Sequence, residues 1–262
     1  MNAVCNICSS TVYPFSTARL LKIYDVTYFK CRNCGFVQTE EPYWLEEAHS
    51  RAINLNDVGL VDRNIRLART SQAVISMFFK PTAKFIDYGG GYGLFVRLMR
   101  DVGYDFYRHD KYCENLFAQY FEADLDEGSE YELLTAFEVF EHLAKPLEGV
   151  EQMLSFSKNI LFTTEILPAH NPKPGEWWYY IPDYGQHVSF FTVQSLLALA
   201  GKFSLNFYTN GTSVHLLSTK KISQLFFKLI CRHRMTSAIN RIRKRPSLIP
   251  ADYEKITGKE IL

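Results

Sequence analysis

No stretch of the sequence holds the roughly 18 to 20 apolar residues in a row that a bilayer-crossing helix needs. The opening Met1-Asn2-Ala3-Val4-Cys5 also lacks the basic-then-apolar layout of a secretion signal. A cytoplasmic protein is therefore expected. Charge imbalance is missing too: 29 basic against 28 acidic residues leave a formal net charge of +1, which excludes a molecule-wide polyanion-binding surface. Cysteine is sparse, six in 262 residues, and in a reducing compartment so few thiols do not make a disulfide framework. Apolar residues are plentiful at 47%, enough for one full-sized core with extensions.

Four of the six cysteines stand in two close pairs, Cys5-Asn6-Ile7-Cys8 and Cys31-Arg32-Asn33-Cys34. Two residues between thiolates let one tight turn present both sulfurs to a tetrahedral ion. Gly35 suits the positive φ that such a turn often needs. The β-prone pieces between the pairs, Thr11 to Tyr13 and Val26 to Lys30, predict a zinc ribbon over residues 1–40. Cys5, Cys8, Cys31 and Cys34 would fill the shell of a Zn2+ ion and make it structural rather than catalytic. Cys113 and Cys231 have no such partners and read as ordinary small apolar residues.

Lys84-Phe85-Ile86-Asp87-Tyr88 is a short apolar strand that runs into Gly89-Gly90-Gly91-Tyr92-Gly93, after which Leu94 to Met99 has helical character. This is the opening βα unit of a Rossmann-like sheet. Gly89, Gly91 and Gly93 let backbone approach a ligand closely. A dinucleotide fingerprint from Gly89 would require glycine at 94, where the chain has Leu94, and a pyrophosphate would sit poorly beside Asp87.

The spelling Asp87-x-Gly89-x-Gly91-x-Gly93 resembles motif I of class I methyltransferases that use S-adenosyl-L-methionine (SAM). A second strand, Tyr104 to Asp110, ends in an acid about twenty residues after the glycines, where a carboxylate accepts ribose hydroxyls. Within the resemblance, Phe121 to Asp124 is the third strand and Asp124 the acid near adenine. Phe137-Glu138-Val139-Phe140-Glu141-His142-Leu143 is similar to motif IV, with Glu138 facing the cofactor. Further strands are expected at 131–137, 159–164, 203–208 and 214–219, giving a doubly wound α/β sheet of seven strands. Gln186-His187-Val188-Ser189-Phe190-Phe191-Thr192, taken with the ribbon and the loop, is similar to a segment of bacterial sugar and surface-glycan methyltransferases that carries their base. Gln186 stands where those enzymes commonly have glutamate, so O- and C-methylation both stay open.

Methyl transfer is an in-line displacement, so the enzyme must align an acceptor and, for a hydroxyl, take its proton. His142 and His187 are the candidate bases. Trp177, Trp178, Tyr179 and Tyr184 lie where an acceptor loop is expected; they either stack on a sugar face or seal the core. Residues 57–64 could fold over the cofactor and bring Arg63 to its carboxylate, and the alternative is a solvated charge at a helix start.

The expected organisation is a ribbon at 1–40, linking helices at 41–75, a SAM-binding domain at 76–219 and an extension at 220–262. From Lys220 to Arg245 there are nine Lys or Arg and no acid, mixed with Leu225, Phe226, Phe227, Leu229 and Ile230. This segment either packs as a helix with a solvated basic face or rests peripherally on an anionic membrane. Two other functions fit parts of the pattern. An RNA methyltransferase would use the ribbon on nucleic acid, but residues 1–40 carry only Arg19, Lys22, Lys30 and Arg32 as cations, which argues against it. A non-catalytic scaffold would have lost the Asp87, Gly89, Gly91 and Asp110 set, which is intact. The oligomeric state is not encoded in these features.

Overall fold

The computed structural model describes residues 4–48, 57–124 and 130–260. In chain order these form β1 (Val12–Leu20), β2 (Tyr24–Cys31), β3 (Val37–Thr39), α1 (Leu45–Ala48), α2 (Leu60–Phe78), β4 (Lys84–Tyr88), α3 (Leu94–Asp101), β5 (Asp105–His109) and β6 (Leu133–Ala136). There follow α4 (Pro146–Phe156), β7 (Asn159–Thr163), β8 (Ser189–Phe190), α5 (Val193–Lys202), β9 (Asn206–Thr209), β10 (Val214–Ser218), α6 (Gln224–Ile230), α7 (His233–Ile242) and α8 (Ile249–Thr257). Contacts gather the chain into two units. The first holds Met1–Asn54, Glu138–Gln152 and Phe162–Lys220, and the second Leu55–Phe137, Met153–Leu161 and Lys221–Leu262.

A six-stranded sheet has the order β5-β4-β6-β7-β10-β9, and residues of β7 belong to both units. Strand β4 runs parallel to β5 and β6, with Asp87 opposite both Arg108 and Thr135. The unbroken burial of β6 and β7 is what parallel strands covered on both faces require. β9 and β10 form the expected antiparallel pair. The third strand expected over 121–124 is reduced to one parallel bridge between Arg108 and Glu122. Arg108 N–H donates to Phe121 and its carbonyl accepts from Ala123, but the described residues carry the pairing no further. The described residues therefore give six sheet strands rather than seven.

In the second unit α2 packs on α3, α6 and α7, so the basic C-terminal segment is folded onto its own unit. Phe227, Ile230 and Ile239 are buried, while Leu225 and Ile242 face solvent. α8 is fastened by Asp252, whose buried carboxylate accepts from Arg97 at 2.8 Å and from Arg100 at 2.6 and 2.9 Å. Among the described residues no helix is long and apolar enough to cross a membrane.

The first unit contains a second sheet, β1-β2-β3-β8, in which Val37 and Gln38 of β3 pair with Phe190 and Ser189 of β8. The N-terminal segment thus shares its core with residues far along the chain: Leu20, Val26, Tyr28 and Trp44 pack with Tyr179, Tyr180 and Phe190. A forty-residue ribbon has too little apolar surface to bury on its own, and this shared cluster supplies the rest. The linking helix over 43–48 shortens to the single turn α1.

Candidate active site

The glycine loop leaves β4 at Tyr88 and feeds α3, which starts after Gly93 at φ +85° with no side-chain cap. An added Cβ at Gly93 would lie 2.6 Å from Asn115 Oδ1 and 3.1 Å from the Ala118 amide, so that position is closed to any other residue without rearrangement. At Gly91, φ +53°, a Cβ would meet nothing within 4 Å, which leaves an open face on the loop. Arg108 Nε holds the loop by donating to the Gly91 carbonyl at 2.6 Å.

Asp110 closes β5 and accepts three backbone amides: Gly91 at 2.9 Å on one oxygen, Tyr112 at 2.7 Å and Cys113 at 2.9 Å on the other. A carboxylate offers about four lone-pair sites, so acceptor capacity remains on the oxygen that meets the loop. Asp87 is buried beneath the loop and accepts from Thr135 Oγ1 at 2.6 Å. Burial pushes its carboxyl up to about 7, with the charge of Asp110 adding to the rise. An open loop face, an uncapped helix start and a half-buried acid beside both suit an amino acid joined to a nucleoside. Asp87, Gly89, Gly91, Gly93 and Asp110 are brought together here.

The other three cofactor candidates have contacts of their own. Asp124 is exposed, its amide accepted by the Tyr131 hydroxyl at 2.9 Å, immediately before residues outside the described set. Arg63 makes a two-pronged ion pair with Asp57 at 2.7 and 3.0 Å at the start of α2, the arrangement of a helix-start charge. Glu138 belongs to the first unit and holds φ +55°. Thr163 Oγ1 donates to its carboxylate at 2.8 Å and accepts its amide at the same distance. A non-glycine residue held in the left-handed region at the end of a strand is a feature found at functional sites.

Three residues further on, within the same unit, Glu141, His142 and His187 converge, and their potential ligand atoms all lie within 4.8 Å of one another. The rings of His142 and His187 meet edge to face at 5.0 Å. His187 is buried; burial pulls its pKa down to about 4, so the ring is neutral. Its Nδ1 sits 2.6 Å from the Tyr179 carbonyl, and a carbonyl can only accept, so Nδ1 carries the proton and Nε2 keeps a lone pair. Glu141 is fully buried, and neither carboxylate oxygen has a hydrogen-bond partner. The hydroxyls of Thr164 and Tyr179 lie near enough to favour its charge, and the 3.3 Å bond between them uses the hydrogen of only one. Burial, reinforced by the charge of Glu138, drives the Glu141 carboxyl well above the usual range. Glu141 adjoins His142 in the motif IV segment, and that adjacency is its only signal in the sequence.

The aromatic loop divides between its two readings. Tyr179 is buried within the shared core and the half-buried Trp177 packs against it. Tyr184 is half-buried, whereas Trp178 is 68% exposed, its ring set edge to face with that of Tyr179 at 5.2 Å.

The four N-terminal cysteines converge without any disulfide. Sγ separations are 3.6 Å for Cys5–Cys34, 3.4 Å for Cys8–Cys31 and 3.5 Å for Cys8–Cys34. Four thiolates around a tetrahedral zinc stand about 3.8 Å apart, so the cluster fits that ion closely. Backbone amides of Ile7, Asn33 and Cys34 each approach a cysteine sulfur at 3.4 Å, as in turns that stabilise thiolates. The hydrogen bond from Cys34 pulls the Cys5 thiol down to about 5. Gly35 takes φ +72°, as its place after the second pair required, and Thr192 Oγ1 donates to the Cys34 carbonyl at 2.6 Å.

A buried acid under a glycine loop, with a second acid closing the neighbouring parallel strand, is the nucleotide-binding arrangement of a Rossmann-like α/β fold. The model of a family described as "Methyltransferase domain" matches residues 62–209, more than half of the chain, and the protein belongs to that family.

Solved structures that match the chain include CalO1, a methyltransferase of calicheamicin biosynthesis, at 14% identity over 59% of this chain and 54% of its own, TM-score 0.41. The chain thus spans about half the length of that enzyme. The plantazolicin methyltransferase BpumL matches at 14% identity over 75% of this chain and 91% of its own, TM-score 0.45. Human N-acetylserotonin methyltransferase matches at 11% identity over 68% and 66%, TM-score 0.38. No curated protein matches the sequence.

Proposed function

We propose that the protein transfers a methyl group from SAM to a small-molecule or glycan acceptor, a sugar in surface-polysaccharide or secondary-metabolite synthesis, in the cytoplasm. Family membership carries the reaction class, and the observation that carries the cofactor is the Asp110 carboxylate held 2.9 Å from the Gly91 amide at the open face of the loop. SAM supplies, when bound, a methyl carbon activated by a sulfonium. Gly89, Gly91 and Gly93 let the backbone close on it, Asp110 takes ribose hydroxyls, and Asp87 supports the loop from below. On the acceptor side, the Glu141, His142 and His187 cluster receives the hydroxyl proton, with His187 oriented by the Tyr179 carbonyl. Trp178 offers its exposed ring to a sugar face. Zn2+ at Cys5, Cys8, Cys31 and Cys34 is structural, because four thiolates leave no open position.

Calorimetric titration of the full chain with SAM and with S-adenosylhomocysteine tests the reading. Micromolar binding of either supports it, and absence of binding to both refutes it. Elemental analysis should find one zinc per chain, lost in Cys31→Ser; a wild type that retains no zinc after zinc-supplemented expression refutes the metal assignment.

A further inference from the structure

We propose that Glu141, His142 and His187 form a second metal centre, a site for a divalent transition cation of the manganese or cobalt type that engages the acceptor oxygen. The site rests on three independent features. The first is convergence: the three side chains place one potential ligand atom each within 4.8 Å of the others. Neighbouring ligands in a shell of 2.0–2.2 Å bonds stand about 3 to 4.2 Å apart, so small side-chain rotations close the set around an ion.

The second feature is the unmet demand of Glu141. Its side chain is fully buried and both carboxylate oxygens lack a hydrogen-bond partner. A buried carboxyl with neither oxygen hydrogen-bonded is costly in either protonation state, and an ion at the centre of the cluster satisfies it directly. Third, His187 makes the contact that metal-bound imidazoles show, one ring nitrogen donating to a backbone carbonyl, which leaves the other nitrogen as its possible ligand atom. The backbone enforces the arrangement: Glu138 sits in the left-handed region just before the 3-10 turn Phe140–His142, and the Val188 amide donates to the Glu141 carbonyl at 2.9 Å, tying that turn to the His187 segment.

Two imidazoles and one carboxylate leave positions open on the ion, unlike the four thiolates near the N-terminus. An acceptor hydroxyl taking one of them becomes more acidic. With the ion held, the three side chains would serve as its ligands in place of acting as the base, so the hydroxyl proton would pass to solvent, the oxygen lone pair would form the new bond to the methyl carbon, and the carbon–sulfur bonding pair would return to sulfur, yielding the thioether product. The cation's purpose rests on the methyl-transfer reading above, but its binding does not.

The test uses tag-free, zinc-loaded full chain titrated with Mn2+ and followed by electron paramagnetic resonance. One Mn2+ per chain should bind, with spin-echo modulation from imidazole nitrogen, and Glu141→Gln and His187→Ala should each weaken it at least tenfold while zinc content is kept. Failure of the wild type to take up Mn2+ at millimolar concentration, bound Mn2+ without nitrogen coupling, or uptake unchanged in both variants overturns the proposal. The nitrogen coupling is read on wild type alone, so a variant that fails to fold does not remove the test. SAM titration of the same samples separates the two readings: SAM binding without Mn2+ uptake removes only the metal centre, and Mn2+ uptake without SAM binding removes only the cofactor assignment.

Discussion

Replacing Asp110 by alanine should weaken SAM binding by about 1.5 to 3 kcal/mol, the net worth of hydrogen bonds to a charged group, which raises Kd about 10- to 150-fold. The structure shows where that loss falls. Of the three amides that Asp110 accepts, those of Tyr112 and Cys113 belong to a local turn in which Tyr112 is exposed, so water can replace the carboxylate there. The Gly91 amide is different, because its bond at 2.9 Å fixes the face of the loop that meets the cofactor. Asp110→Asn sharpens the argument. Its amide oxygen can still serve the turn, but its NH2 group would point a donor at the Gly91 N–H, so the variant should lose nearly as much affinity as alanine while its melting temperature changes little. Calorimetry with SAM and S-adenosylhomocysteine, paired with thermal unfolding, reads both quantities. Affinity within twofold of wild type in two folded variants would show that Asp110 serves the turn and not the ligand.

Other perturbations follow from the same geometry. Gly93→Ala combines a left-handed backbone with contacts at 2.6 and 3.1 Å and should cost about 2 to 4 kcal/mol, read as a lower urea midpoint at unchanged m; an unmoved midpoint refutes the steric account. Asp252→Ala strands the buried Arg100 and should cost about 3 kcal/mol, the low end for a broken buried pair because Asp105 still holds Arg100 at 2.5 Å; a loss under about 1 kcal/mol would show that α8 is not fastened there. Asp87 makes a pH prediction for the cofactor-free protein. Its folded pKa, about 7, lies above the unfolded value of 3.8, so its stabilising contribution is complete below pH 3.8 and is lost as pH rises to 7. Asp87→Asn removes that slope, and the variant should gain on wild type by order 4 kcal/mol between pH 4 and 8 in denaturant titrations. Parallel stability curves for the two proteins would refute the buried-acid account.

Local chemistry made much of this protein readable in one dimension. Two C-x-x-C turns, a glycine loop after a short apolar strand and an acid at the end of the next strand are contiguous patterns, each forced by a bond length, a positive φ or a strand length, and the folded chain assembles each of them. The succession of strands along the chain was legible for the same reason, since β4, β5, β6, β7, β9 and β10 are apolar runs of strand length, whereas their order across the sheet was not. Only the tertiary structure decided the rest, because burial and partnership are properties of residues distant in sequence. It assigned Tyr179 to a core shared with Tyr28 and Trp44 and left Trp178 outside; it ended the 121–124 strand after one bridge; it paired Arg63 with Asp57; and it set Glu141 unpartnered beside His142 and His187, some forty-five positions away.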